Sequence, residues 1–100
     1  MQTIDVHELK DRTDRPLIDV REAWEYEAVR VPGAINLPMS TLGGRLDELP
    51  AEGFDVICKS GVRSGQAVEV LEARGYDAAN VEGGTDDWVA AGYPTEDGLR

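Results

Sequence analysis

Cysteine and histidine are almost missing from this chain, with Cys58 and His7 the sole examples. One cysteine cannot close an internal disulfide, and it excludes any cysteine-rich zinc site. With one histidine, a transition-metal centre would have to be built from carboxylates, and no clustered spacing supplies one. No metal and no cofactor are therefore expected. No apolar run approaches the ~20 residues of a membrane-spanning helix. The opening Met1-Gln2-Thr3-Ile4-Asp5 lacks the basic and apolar regions of a secretion signal, so a cytoplasmic protein with no membrane association is expected. Lysine is scarce as well: Lys10 and Lys59 stand against eight arginines. The formal net charge is −10, with ten acidic residues in each half and no acidic tail. Such a surface disfavours nucleic acid and anionic membranes. It also disfavours anionic small molecules unless a local basic site overrides it, although screening limits the repulsion to a Debye length of about 8 Å.

What is present suits one small globular domain over residues 1–100, with 41% apolar and 30% charged residues. Short apolar runs alternate with helical patterns. Ile4 marks a first strand. Asp5 and Glu8 have the spacing of a capping box, opening a helix to about Arg12. Leu17-Ile18-Asp19-Val20 reads as a buried strand, followed by a short helix carrying Trp24 and Tyr26. Pro32-Gly33 is a turn and Ala34-Ile35-Asn36-Leu37 a further strand. Ser40 or Thr41 caps a helix expected to reach Leu49 and end at Pro50. Phe54-Asp55-Val56-Ile57 is a strand that runs directly into Cys58. A helix is expected from Arg63 to Arg74, with Gly75 at its C′ position. Ala78 to Val81 is the last strand, and Thr85 caps a final helix through Trp88 that stops at Gly92 and Pro94. Strands alternating with helices at short spacing imply an α/β fold on a mainly parallel sheet of about five strands. Sites in such sheets form at the carboxyl ends of the strands, where Cys58 lies.

The segment from Cys58 through Lys59, Ser60, Gly61, Val62, Arg63 and Ser64 carries the chemistry. A strand enters a short loop of small residues, and the loop enters a helix. Gly61 permits a tight turn, so successive N–H groups can face inward as a nest for an anion, reinforced by the helix N-terminus. Free cysteine has a pKa of about 8.5, and such surroundings lower it to about 3.5–7.5. A two-unit drop is worth about 2.7 kcal/mol in favour of the thiolate. A buried cysteine that merely packs needs none of these neighbours, so Cys58 is read as a nucleophile.

The same residues resemble the rhodanese family of single-domain sulfurtransferases. Leu17-Ile18-Asp19-Val20-Arg21-Glu22 with Glu25-Tyr26, Val31-Pro32-Gly33-Ala34-Ile35-Asn36-Leu37-Pro38, the Cys58–Ser64 loop, and Val81-Glu82-Gly83-Gly84 with Trp88 and Ala91-Gly92-Tyr93-Pro94 carry the resemblance in order. It implies a three-layer rhodanese-like sandwich with Cys58 as sulfur carrier. A donor such as thiosulfate gives its outer sulfur to Cys58, and cyanide, a thiol or a sulfur-accepting protein takes it away. Gly61 fits the cradle, Lys59 attracts the donor anion, and Arg63 binds the donor or anchors the loop. Asp19 and Arg21 form an ion pair that braces the loop or serves structure alone. Val29-Arg30-Val31 stands where the family often has Gly-His-Ile, and Arg30 either substitutes there or faces solvent.

Other residues have plainer readings. Trp24 and Trp88 are packing residues, His7 lies on the surface of the first helix, and Gly83-Gly84 makes a helix-leading turn. Arg45 with Asp47 and Glu48 are solvated helix charges. Two competing functions remain at this point. Phosphatase or arsenate-reductase chemistry uses a related loop, but Cys58 and Arg63 are one residue closer than in the C-x5-R pattern. A relay module would instead receive sulfur from a partner protein.

Overall fold

The segments Leu17–Asp19, Phe54–Ile57 and Ala78–Val81 are mostly apolar because they are buried on both faces of one sheet, and each carries one polar residue, Asp19, Asp55 and Asn80. The structure is a computed structural model that describes residues 1–12 and 14–98. In chain order it contains β1 (Gln2–Ile4), α1 (Val6–Asp11), β2 (Leu17–Asp19), α2 (Ala23–Ala28), β3 (Ile35–Asn36), α3 (Met39–Leu42), a 3-10 turn (Leu46–Glu48), β4 (Phe54–Ile57), α4 (Val62–Ala73), β5 (Ala78–Val81) and α5 (Gly84–Ala90). The five strands form one sheet in the order β1-β5-β4-β2-β3, every pair parallel. This is the expected α/β architecture.

Alternation along the strands divides the core in two. Ile18, Val20, Phe54, Val56, Cys58 and Ala78 pack on one face with Leu42, Ala67, Val68 and Leu71. Ile4, Leu17, Ile57 and Val81 pack on the other with Val6, Leu9 and Trp88. Helices on both faces make three layers. After β2 the chain moves outward to β3, whereas after β4 it moves the opposite way to β5. The crevice between the carboxyl ends of β2 and β4 is therefore the switch point at which such sheets bind ligands.

The Asp5–Glu8 capping box forms as expected, with Glu8 N–H donating to Asp5 Oδ1 at 2.9 Å and Asp5 N–H to Glu8 Oε1 at 3.3 Å. Four expectations need correction. The helix expected to reach Leu49 stops at Leu42 and resumes only as the 3-10 turn. Gly43-Gly44 interrupts it, at a helix cost of about 1 kcal/mol per glycine. Neither Ser40 nor Thr41 caps it: Ser40 Oγ donates to Glu22 Oε1 and Thr41 Oγ1 to Pro38 O. Trp88 is buried but Trp24 is 72% exposed. Arg30 does not face solvent. It is 1% exposed, stacks over the Tyr26 ring at 4.6 Å and donates from Nη1 to Gly98 O at 2.8 Å, fastening the carboxyl-terminal segment.

Thr85 is the fourth. The last helix begins at Gly84, and Gly83 in a left-handed conformation precedes it. The Thr85 hydroxyl donates to Cys58 O at 3.0 Å, beside the Thr85 N–H on the same oxygen at 2.9 Å, and Asp86 N–H donates to Lys59 O at 2.9 Å. The free amides of the α5 N-terminus thus meet the carbonyls of the loop after β4. A Cβ at Gly84, where φ is +57°, would lie 2.6 Å from both Cys58 O and Lys59 O. Gly84→Ala should therefore add about 1–3 kcal/mol of crowding to the strain of its positive φ, and loosen the loop. Gly92→Ala, at φ +77° in open space, should cost only the backbone strain of about 1–2 kcal/mol. Urea titration of both variants checks the order, and equal losses would show that the contact with the loop is unimportant.

Candidate functional site

Cys58 follows β4 at the switch point and is 1% exposed. Its Sγ accepts the Gly61 N–H at 3.1 Å and the Ser64 hydroxyl at 3.2 Å. The amides of Ser60, Gly61 and Ser64 all favour the thiolate. In a trans peptide the N–H points opposite to the C=O, so with Cys58 O and Lys59 O turned toward α5 the Lys59 and Ser60 N–H groups turn the other way. Gly61 completes the turn at φ +100°, and a Cβ there would press on Gly83 N at 3.2 Å. Burial raises the Cys58 pKa, but the Ser64 hydroxyl and the three amides outweigh it and leave the thiol below its ordinary value.

The cations of the loop are not free. Arg63 gives Nη1 and Nη2 to the two carboxylate oxygens of Glu25, each at 2.8 Å, and so ties α4 to α2. Lys59 Nζ lies 2.9 Å from Asp86 Oδ2 on α5, both side chains more than half exposed. Val62 is exposed, while Ser64 is buried. Asp19 and Arg21 form a buried pair, with Nε to Oδ1 at 3.0 Å and Nη2 to Oδ2 at 2.8 Å. Arg21 Nη2 also donates to Val29 O at 2.6 Å, which fixes the end of α2 near the end of β2. The structure thus gathers Cys58, the loop, Asp19 and Arg21 at one end of the sheet. His7 lies elsewhere, exposed on α1 and bonded to the Tyr93 hydroxyl.

Reading by residue type missed two participants. Glu25 is ordinary by type, an acidic residue of a short helix, yet it holds Arg63. Asn80 was overlooked, although a polar side chain in the buried run Ala78-Ala79-Asn80-Val81 required a partner. It meets the Ser64 hydroxyl through Oδ1 and donates from Nδ2 to Gly61 O at 3.2 Å. Beside the loop, a groove of about 370 Å³ runs between α2 and α5, bordered by Trp24, Val89 and Lys59. A larger cavity of about 430 Å³ lies against α1 and shares no lining residue with the loop.

The Glu25–Arg63 pair has a pH signature. The Arg63 hydrogen bonds lower the Glu25 pKa from 4.5 to about 2, against burial and helped by the Glu22 N–H. A lowered carboxylate pKa stabilises the fold above its unfolded value, and that contribution is lost as pH falls through the folded value. Glu25→Gln should weaken the protein at neutral pH. The gap to wild type should narrow below about 4.5 and close toward about 2. Urea titrations at neutral and acid pH check this, and a gap independent of pH would contradict it.

Residues 5–91 match the family model of the rhodanese-like domain. A curated sulfurtransferase of Allochromatium vinosum is 38% identical over 88 residues, covering 86% of this chain and 82% of that protein. A rhodanese-related protein of Thermoplasma volcanium superposes with a TM-score of 0.91 at 33% identity, covering 96% of this chain and 98% of that one. A rhodanese-like domain protein of Staphylococcus aureus superposes at 0.82 with 38% identity, covering 88% and 91% of the two chains. Several other curated relatives are more than twice as long as the part this chain matches. On the fold, the placement of Cys58 and these likenesses together, the chain belongs to the rhodanese-like domain family, in which sulfurtransferases are found.

Proposed function

We propose that this domain moves sulfane sulfur through a persulfide on Cys58, taking it from a small anionic donor such as thiosulfate. The observation that carries the reading is the convergence of the Gly61 amide and the Ser64 hydroxyl on one buried sulfur at the carboxyl end of β4. The Cys58 thiolate attacks the outer sulfur of thiosulfate. The new Sγ–S bond forms as the S–S bond of the donor breaks, and that electron pair leaves with sulfite. A nucleophile then attacks the terminal sulfur. The Sγ–S bond breaks, its electron pair restores the Cys58 thiolate, and cyanide becomes thiocyanate or a thiol becomes a persulfide. This is covalent catalysis in two half-reactions. The inward amides of Ser60, Gly61 and Ser64 stabilise negative charge on sulfur as preorganised donors.

In this reading Arg63 anchors the loop to α2 through Glu25, and Asp19 with Arg21 holds the neighbouring strand end. Lys59 supplies attraction for an anionic donor, reduced by Asp86. A sulfur-accepting protein is a further acceptor. A free thiol as the working group suits a reducing compartment such as the cytoplasm.

Incubation of reduced protein with thiosulfate, followed by intact mass, tests the proposal. Wild type should gain one sulfur atom that cyanide discharges. Cys58→Ser should gain none and fall to the uncatalysed background while keeping its circular-dichroism spectrum. Full transfer by that variant would sink the mechanism, and no gain by wild type would remove thiosulfate as donor. Lys59→Ala should weaken use of thiosulfate by at most about fivefold, as for an exposed charge worth up to about 1 kcal/mol. It should leave a neutral sulfur donor unaffected. Equal losses for the two donors would exclude an electrostatic role.

A further inference from the structure

The Ser64 hydroxyl has one proton and two acceptors. Its Oγ lies 3.2 Å from Cys58 Sγ, and it also contacts Asn80 Oδ1. The amide of Asn80 cannot be turned the other way round without loss, because Nδ2 donates to Gly61 O at 3.2 Å and a carbonyl oxygen only accepts. Oδ1 is therefore held toward Ser64, and both side chains are buried beyond the reach of bulk water, Ser64 at 0% and Asn80 at 6% exposure.

We propose that Asn80 is a positioning residue whose Oδ1 competes with Cys58 Sγ for the single Ser64 proton. With Cys58 as a thiol, S–H donates to Ser64 Oγ and Ser64 donates to Asn80, so every donor has an acceptor. With Cys58 as a thiolate, the sulfur has no proton to give and Ser64 must turn its own proton toward Sγ. Asn80 Oδ1 then faces the hydroxyl oxygen with no proton between them. That opposition lowers the gain from the Ser64 bond and keeps the thiolate more basic, and so more nucleophilic, than the cradle alone would make it. Once Sγ is bonded to a second sulfur it carries no charge, and the Ser64 proton returns to Asn80. The charged groups around the thiol are Arg63 of α4 with Glu25 of α2, Asp19 at the end of β2 with Arg21 after it, and Lys59 with Asp86 of α5. None of them is altered by a change at Asn80.

The inference depends on Cys58 being a nucleophile but not on any sulfur donor, so it is tested by alkylation and not by sulfur transfer. The rate of reaction of Cys58 with iodoacetamide would be followed against pH in wild type, Asn80→Ala and Asn80→Val, the last retaining bulk suited to a strand. Each would also be made on a Ser64→Ala background. Loss of the competing oxygen should move the midpoint down by about 0.5–1 unit when Ser64 is present, and should not move it when Ser64 is absent. The same shift on both backgrounds would mean that Asn80 acts through Gly61 and the loop backbone. That result, an unchanged midpoint or an upward shift would overturn the proposal.

Discussion

Two carbonyl oxygens hold this site together. Cys58 O and Lys59 O accept the first free amides of α5, and Cys58 O also takes the Thr85 hydroxyl. Because the peptide unit is planar and trans, turning those oxygens toward α5 turns the Lys59 and Ser60 N–H groups the other way, and the Ser60 amide is one of those that favour the thiolate. One set of hydrogen bonds thus satisfies the N-terminus of α5 and fixes the path of the loop that carries the donors to Sγ. The close approach leaves no room for a side chain at Gly84, and the return of the loop leaves little at Gly61. A helix far along the chain from Cys58 therefore holds the start of the loop that surrounds the sulfur.

The electrostatics follow from that arrangement more than from net charge. The protein is strongly acidic, and both cations of the loop are engaged with carboxylates: Arg63 with Glu25, Lys59 with Asp86. What favours the thiolate is a set of oriented neutral dipoles close to a buried atom, the Ser64 hydroxyl and three backbone amides. The backbone amides among them cost little reorganisation when charge moves onto sulfur. They also act inside the region where salt does not screen. The ion pairs have a different task. Arg63–Glu25 joins α4 to α2, and Asp19–Arg21 joins the end of β2 to the end of α2, so the elements around the switch point stay in register with the loop.

Local residues determined a good deal by themselves. Apolar residues placed β2, β4 and β5, because strands buried on both faces require them. The Asp5–Glu8 pair placed the start of α1, because capping is a contact between near neighbours. Cys58 in a strand–loop–helix segment with Gly61 and Ser64 pointed to an anion-holding thiol, because that chemistry depends on backbone geometry which glycine permits. Other features depend on distant partners. Arg30 is buried because Tyr26 and the carboxyl-terminal segment enclose it, Trp24 is exposed at the border of the groove between α2 and α5, and Thr85 turns from cap to clamp because Cys58 O accepts its hydroxyl. Asn80 and Glu25 acquire their places only when β5 and α2 are brought beside the loop. Local sequence thus pointed to Cys58 and to most of the elements that surround it. The partners of each polar group came from the packing of distant elements, because a hydrogen bond between residues far apart in the chain leaves no local pattern to read.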